Sequence, residues 1–234
     1  MISDREAIRR HLEDVRGRIA AAAARSGRPA DAVTLVGVTK TVAAEVVAAA
    51  VDLGLSDVGE NRVQEAQAKI AVVGRDAARW HLIGHLQRNK AGPAVRLFDR
   101  IHGVDDAELA MALSRHAVSA GRPLPVMVEV NVGGEATKYG VAPEGLEPLL
   151  ERIAALPGLE LDGLMTVGPL VERAEDARAG FARLRELRDR AERRLGLGLP
   201  GLSMGMSGDF EVAVEEGSTM VRVGSAIFGP RPAA

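Results

Sequence analysis

Eight short aliphatic runs, each separated from the next by a longer amphipathic stretch, set the main constraint on what this chain can fold into. The runs are Val33–Lys40, Asp57–Asn61, Arg79–Gly84, Arg100–Val104, Pro125–Val132, Leu159–Val167, Gly201–Ser207 and Thr219–Ser225. Between them, Ala43–Leu53, Arg62–Val73, Leu86–Leu97, Ala107–Ala120, Pro143–Ala155, Glu172–Leu195 and Asp209–Glu216 read as helices. Several runs are nearly continuous Val, Ile and Leu, the composition of strands buried on both faces of a parallel sheet. Eight such units in about 200 residues fit an α/β fold of the (β/α)8 TIM-barrel type. An extra N-terminal helix precedes them: Ile8, Leu12, Val15 and Ile19 recur at the helical period, Ser3 with Glu6 makes a capping box, and Gly27 and Pro29 stop it. Asp105 with Glu108 makes a second capping box where the fourth strand hands over to its helix. A doubly wound open sheet shows the same alternation, and period alone does not separate the two.

Composition removes whole classes of function. The 234 residues carry 30 Lys+Arg against 32 Asp+Glu, a net charge of −2 that argues against a binder of phosphate backbones. Aromatic residues make up 3%, too few for base-stacking platforms. The absence of cysteine excludes disulfide scaffolds, thiolate zinc sites, iron–sulfur clusters and cysteine nucleophiles. No apolar run approaches the length of a membrane span, and the charged start at Asp4, Arg5 and Glu6 does not resemble a secretion signal. A cytoplasmic, single-domain chain over residues 1–234 is expected, since no linker-like tract divides it.

In a barrel, ligands gather at the C-terminal ends of the strands. Lysine occurs only at positions 40, 69, 90 and 138, and Lys40 closes the first run on the same alternate face as Val36 and Val38. Such an amine either meets a carbonyl compound in the barrel mouth or escapes to solvent past the strand end. Arg222 lies between valines in the eighth run and must have a partner: either an ion pair with Glu129 or a ligand. Ser203–Asp209 and Gly224–Gly229 follow the last two strands with the Ser and Gly residues that present N–H groups to an anion, or that merely cap and turn. Asn61 is a helix cap or a ligand contact, and His81 a structural or a catalytic histidine. No metal-ligand spacing, nucleophile elbow or Walker loop is present.

Several segments carry a resemblance. They are Val36–Lys40, Gly59–Glu65, Trp80–Lys90, Gly163–Thr166, Leu202–Ser207 and Val221–Gly229, which together run nearly end to end. On these the chain resembles the pyridoxal phosphate homeostasis protein family, single-domain relatives of the alanine racemase barrel with the fold-type III cofactor-binding architecture. The resemblance implies pyridoxal 5'-phosphate held as a Schiff base on Lys40. It implies a phosphate held by Ser207 and the N–H groups of Gly224 and Ser225, with Met206 beside them. Arg222 would face the pyridine nitrogen, with Asn61 and His81 completing the cofactor site and no metal. The family commonly has proline where this chain has His85 and serine where it has Arg88.

A fixed cation at the pyridine nitrogen disfavours its protonation and weakens the ring as an electron sink. Related racemases also draw a tyrosine base from a second domain, whereas Tyr139 is the only tyrosine here. The expected function is therefore intracellular buffering and carriage of the cofactor by a monomer, with cofactor-dependent apo-enzymes as recipients and no membrane or nucleic-acid partner. The alternatives are a weak amino-acid racemase and a sugar-phosphate lyase or isomerase using Lys40 as its Schiff base.

Overall fold

The computed structural model describes residues 2–135, 138–168 and 171–230, with only the backbone described for positions 2–4. The side chain of Ser3, and with it one half of the first capping box, lies outside what is described. Eight strands run in order: β1 (Thr34–Val38), β2 (Asp57–Glu60), β3 (Arg79–Leu82), β4 (Arg100–Val104), β5 (Leu124–Glu129), β6 (Leu159–Met165), β7 (Gly201–Ser203) and β8 (Met220–Val223). Each pairs in parallel with the next, and β8 pairs with β1 to close a barrel. Closure separates this fold from the open doubly wound sheet.

The helices are α1 (Ile2–Arg25), α2 (Ala44–Asp52), α3 (Val63–Val73), α4 (Ala91–Leu97), α5 (Ala107–Ala120), α6 (Leu146–Ala154), α7 (Arg178–Leu195), α8 (Phe210–Glu215) and the short α9 (Ser225–Phe228). Outward strand residues such as Val58, Ile101 and Leu202 pack under these helices in one continuous apolar shell. Helix α1 turns its Ile8, Leu12, Val15 and Ile19 stripe inward. It packs against α2, α8 and α9, across the seam where β8 meets β1, and its His11 Nδ1 lies 2.9 Å from the carbonyl oxygen of Ile227. No helix among the described residues is long and apolar enough to cross a membrane.

Some boundaries differ from the sequence expectations. Helix α5 is capped by Asp106, whose carboxylate accepts from Leu109 N at 2.7 Å, so Asp105 is left for another task. Pro143, Arg88 and Ala174 open short 3-10 turns, which delay α6, α4 and α7. Strand β1 stops at Val38, two residues before Lys40.

Register decides which residues fill the barrel. Val36 sits beside Arg222 and Asp57, Gly59 beside His81, and Met165 beside Glu129 and Ser203. The inner filling combines Met127, Met165 and Met220 with buried polar residues. Strands β6 and β7 come so close that a Cβ at Gly163 (φ 150°) would stand 2.0 Å from the carbonyl oxygen of Gly201. Only glycine fits there.

Candidate functional site

Helix α3 braces the turn that carries Lys40. Lys69, buried on α3, donates from Nζ to the carbonyl oxygen of Thr39 at 2.5 Å and to Glu60 Oε1 at 2.5 Å. Thr39 Oγ1 donates to the same Glu60 oxygen, and Thr41 N donates to Glu65 Oε2 at 3.4 Å. Residues on both sides of Lys40 are thus tied to one helix, and Thr41 takes a left-handed φ of 65°. Lys40 itself is half-buried at the C-terminal end of the barrel. Sequence reading missed Glu60 and Lys69, although an acid inside an aliphatic run was a visible signal.

Arg222 points into the barrel with 4% of its surface exposed. Its Nη1 donates to Ser203 Oγ at 2.6 Å and its Nη2 to the carbonyl oxygen of Thr166 at 2.8 Å. These neutral acceptors replace the expected ion pair with Glu129, which acts on the guanidinium only through space. Burial lowers the Arg222 pKa to about 10 while Glu129 and Asp209 oppose the shift, so it stays cationic at neutral pH.

Below Arg222 a file of buried polar groups crosses the barrel. His102 Nδ1 lies 2.9 Å from Ser203 Oγ, and His102 Nε2 lies 3.0 Å from His81 Nδ1. His81 Nε2 lies 2.9 Å from Asp57 Oδ1, and Asp57 also takes a two-pronged bond from Arg79, each arm 2.8 Å. Burial works to raise the Asp57 carboxyl, but the bonds from His81, Arg79 and Ser56 outweigh it and hold it well below the usual carboxylate range. Both ring nitrogens of His81 are engaged in this file, which gives the residue a structural role.

The loops after β7 and β8 meet at Ser207. Its Oγ accepts from Gly224 N at 3.2 Å and from Ala226 N at 3.3 Å, which ties the two loops together beside Ser225. A Cβ at Gly224 would meet the carbonyl oxygen of Val38 at 3.2 Å, which holds this loop against the end of β1. Met206 is half-buried, and its N–H donates to Asp209 Oδ1 at 2.6 Å, so Asp209 rather than Ser207 organises the turn into α8. Asn61 is not the α3 cap; Arg62 occupies that position without a side-chain bond. Asn61 instead lies against Gly84, where a Cβ would stand 2.6 Å from its carbonyl oxygen.

On the β3–β5 side of the mouth, Glu129 is buried at the end of β5. Burial, then the Asp105 charge, pushes its carboxyl up to about 7 against the pull of Arg222. Asp105 Oδ2 stands 3.7 Å from His85 Nδ1, and the His85 ring stacks on Tyr139 at 4.0 Å between centroids. Arg88 pairs with Glu108. Both residues that depart from the family pattern thus have partners of their own.

The arrangement suits a small anionic aldehyde. Lys40, the Arg222 cation and the N–H groups gathered at Ser207 all belong to the C-terminal end of one barrel, joined through β1 and β8. Residues 6–232 match the family described as "Alanine racemase, N-terminal domain". The pyridoxal phosphate homeostasis protein of Aquifex aeolicus is 44% identical over 220 residues, covering 94% of this chain and 96% of that protein. That of Pseudomonas aeruginosa is 45% identical over 225 residues, covering 96% of each. The chain belongs to the pyridoxal phosphate homeostasis protein family. The structure of PipY from Synechococcus elongatus, solved with PLP bound, superposes with a TM-score of 0.83 at 36% identity, covering 95% of this chain and all of that one.

Proposed function

We propose that this chain, acting as one domain over residues 1–234, binds pyridoxal 5'-phosphate and serves in its intracellular homeostasis. Reversible Schiff-base attachment of the cofactor aldehyde to Lys40 gives the hold its strength without making it permanent. Ser207 and the N–H groups of Gly224 and Ser225 hold the phosphate, in loops that the bonds from Gly224 N and Ala226 N to Ser207 Oγ draw together, and Asn61 and Met206 border the site. Ser225, exposed at the start of α9, takes this role by family likeness.

The observation that carries the reading is the state of Arg222. It is a buried, charged, donor-only group, held by Ser203 and Thr166. Against such a group a pyridine nitrogen is favoured as an unprotonated acceptor, which limits the ring as an electron sink. Carriage and buffering fit that electrostatic setting better than racemisation does. Delivery to apo-enzymes, a monomeric state and a cytoplasmic location belong to the same proposal. The test is to load the protein with the cofactor, reduce with borohydride and map the labelled peptide. Label on Lys40, lost in Lys40→Ala, is expected; label elsewhere, or an unchanged chromophore in the variant, defeats the proposal.

A further inference from the structure

The polar file beneath Arg222 permits one arrangement of its protons, and that arrangement follows from atom types alone. Arg222 can only donate, so Ser203 Oγ accepts from it. Among the described residues Ser203 Oγ meets just one other partner, His102 Nδ1, and the side chain is fully buried. The hydroxyl hydrogen therefore goes to that nitrogen, because leaving a buried donor unpaired is costly. His102 then carries its single hydrogen on Nε2 and donates to His81 Nδ1. His81 in turn carries its hydrogen on Nε2 and donates to the Asp57 carboxylate, which Arg79 keeps ionised. From Arg222 to Asp57 every donor points away from the barrel mouth, and Arg79, which reaches solvent at the opposite end, donates back to Asp57.

We infer that Ser203, His102, His81 and Asp57 form a one-way hydrogen-bonded relay that positions Arg222, fixing the plane of its guanidinium while the rest of its N–H groups remain available at the mouth. The reverse polarity would require an imidazolium at His81 and would strand the Ser203 hydrogen. The charged groups facing His102 agree with the neutral form. Burial is the main cause that lowers its pKa well below the usual value, and the Arg222 and Arg100 cations act in the same direction against the pull of Asp57. Ser203, His102, His81 and Asp57 are positioning residues. The relay rests on the cofactor reading only for what Arg222 faces.

Two measurements test it. Long-range proton–nitrogen NMR on the cofactor-free protein is expected to show both His81 and His102 carrying their hydrogen on Nε2, with Nδ1 as the acceptor nitrogen. An Nδ1-protonated ring, or an imidazolium at either position at pH 7, overturns the relay. Ser203→Ala is then expected to weaken pyridoxal phosphate binding about tenfold and shift the absorbance band of the bound chromophore, with Ser203→Thr restoring both. Native affinity and an unshifted band in Ser203→Ala overturn the positioning role. Should the unaltered protein give no borohydride-trapped cofactor, the cofactor reading fails, and the NMR pattern still rules on the relay.

Discussion

Glu129 offers a direct test of the electrostatics at the barrel mouth. Its carboxyl is buried at the end of β5 and is pushed up to about 7 from the usual 4.5. The folded protein therefore holds this proton more tightly than the unfolded chain does. Stability linked to Glu129 is fully present below pH 4.5 and is lost as pH rises through about 7. A displacement of about 2.5 pH units at about 1.36 kcal/mol each gives roughly 3 kcal/mol in total, of which roughly 2.5 kcal/mol falls between pH 5 and pH 8. Glu129→Gln keeps the shape and removes the titration. Urea unfolding of both proteins at pH 5 and pH 8 should show the variant's advantage growing by roughly that amount at the higher pH. If the gap between the two proteins is the same at both pH values, the carboxyl does not sit in the low-dielectric setting described.

Three further substitutions probe other supports of the site. Lys69→Ala leaves Glu60 buried without its ammonium and should cost about 3–5 kcal/mol in chemical denaturation, with Lys69→Met/Glu60→Leu recovering most of it. Gly163→Ala drives a methyl into the Gly201 carbonyl and should cost more than about 3 kcal/mol, whereas Gly198→Ala, with nothing within 4 Å of the new Cβ, should leave the melting temperature nearly unchanged. Asp106→Ala removes the α5 cap and should lower stability by about 1 kcal/mol, an effect that Asp105→Asn should not reproduce through the helix.

The architecture was legible because parallel strands buried on both faces write long aliphatic runs, and helices of ordinary length write a 3.6-residue rhythm between them. Lys40 and Ser207 stood out because each ends such a run, and Arg222 because it is a charge inside one. Strand ends and caps were less so: the run through Lys40 reads as one strand, but α3 captures Thr39 and turns the backbone out of the sheet. The interior file was illegible for a different reason. His102 and Ser203 are single polar residues in separate runs, 101 positions apart, and only register brings them into contact. The same register explains the missing Arg222–Glu129 ion pair, since Ser203 and Thr166 stand where the guanidinium can reach them first.

The seam between β8 and β1 also shapes how this protein comes into being. Its two strands lie at opposite ends of the chain, and α1 packs over their junction against the last helices. Pairings of such long sequence separation form late and slowly. While the polypeptide is still emerging from the ribosome, β1 has one ladder edge open and α1 has an apolar stripe without its partners. The nascent molecule carries sticky surface until β8, α8 and α9 have been made. Point changes along that stripe, such as Leu12→Asp, would accordingly be felt first as lost yield of folded material during synthesis.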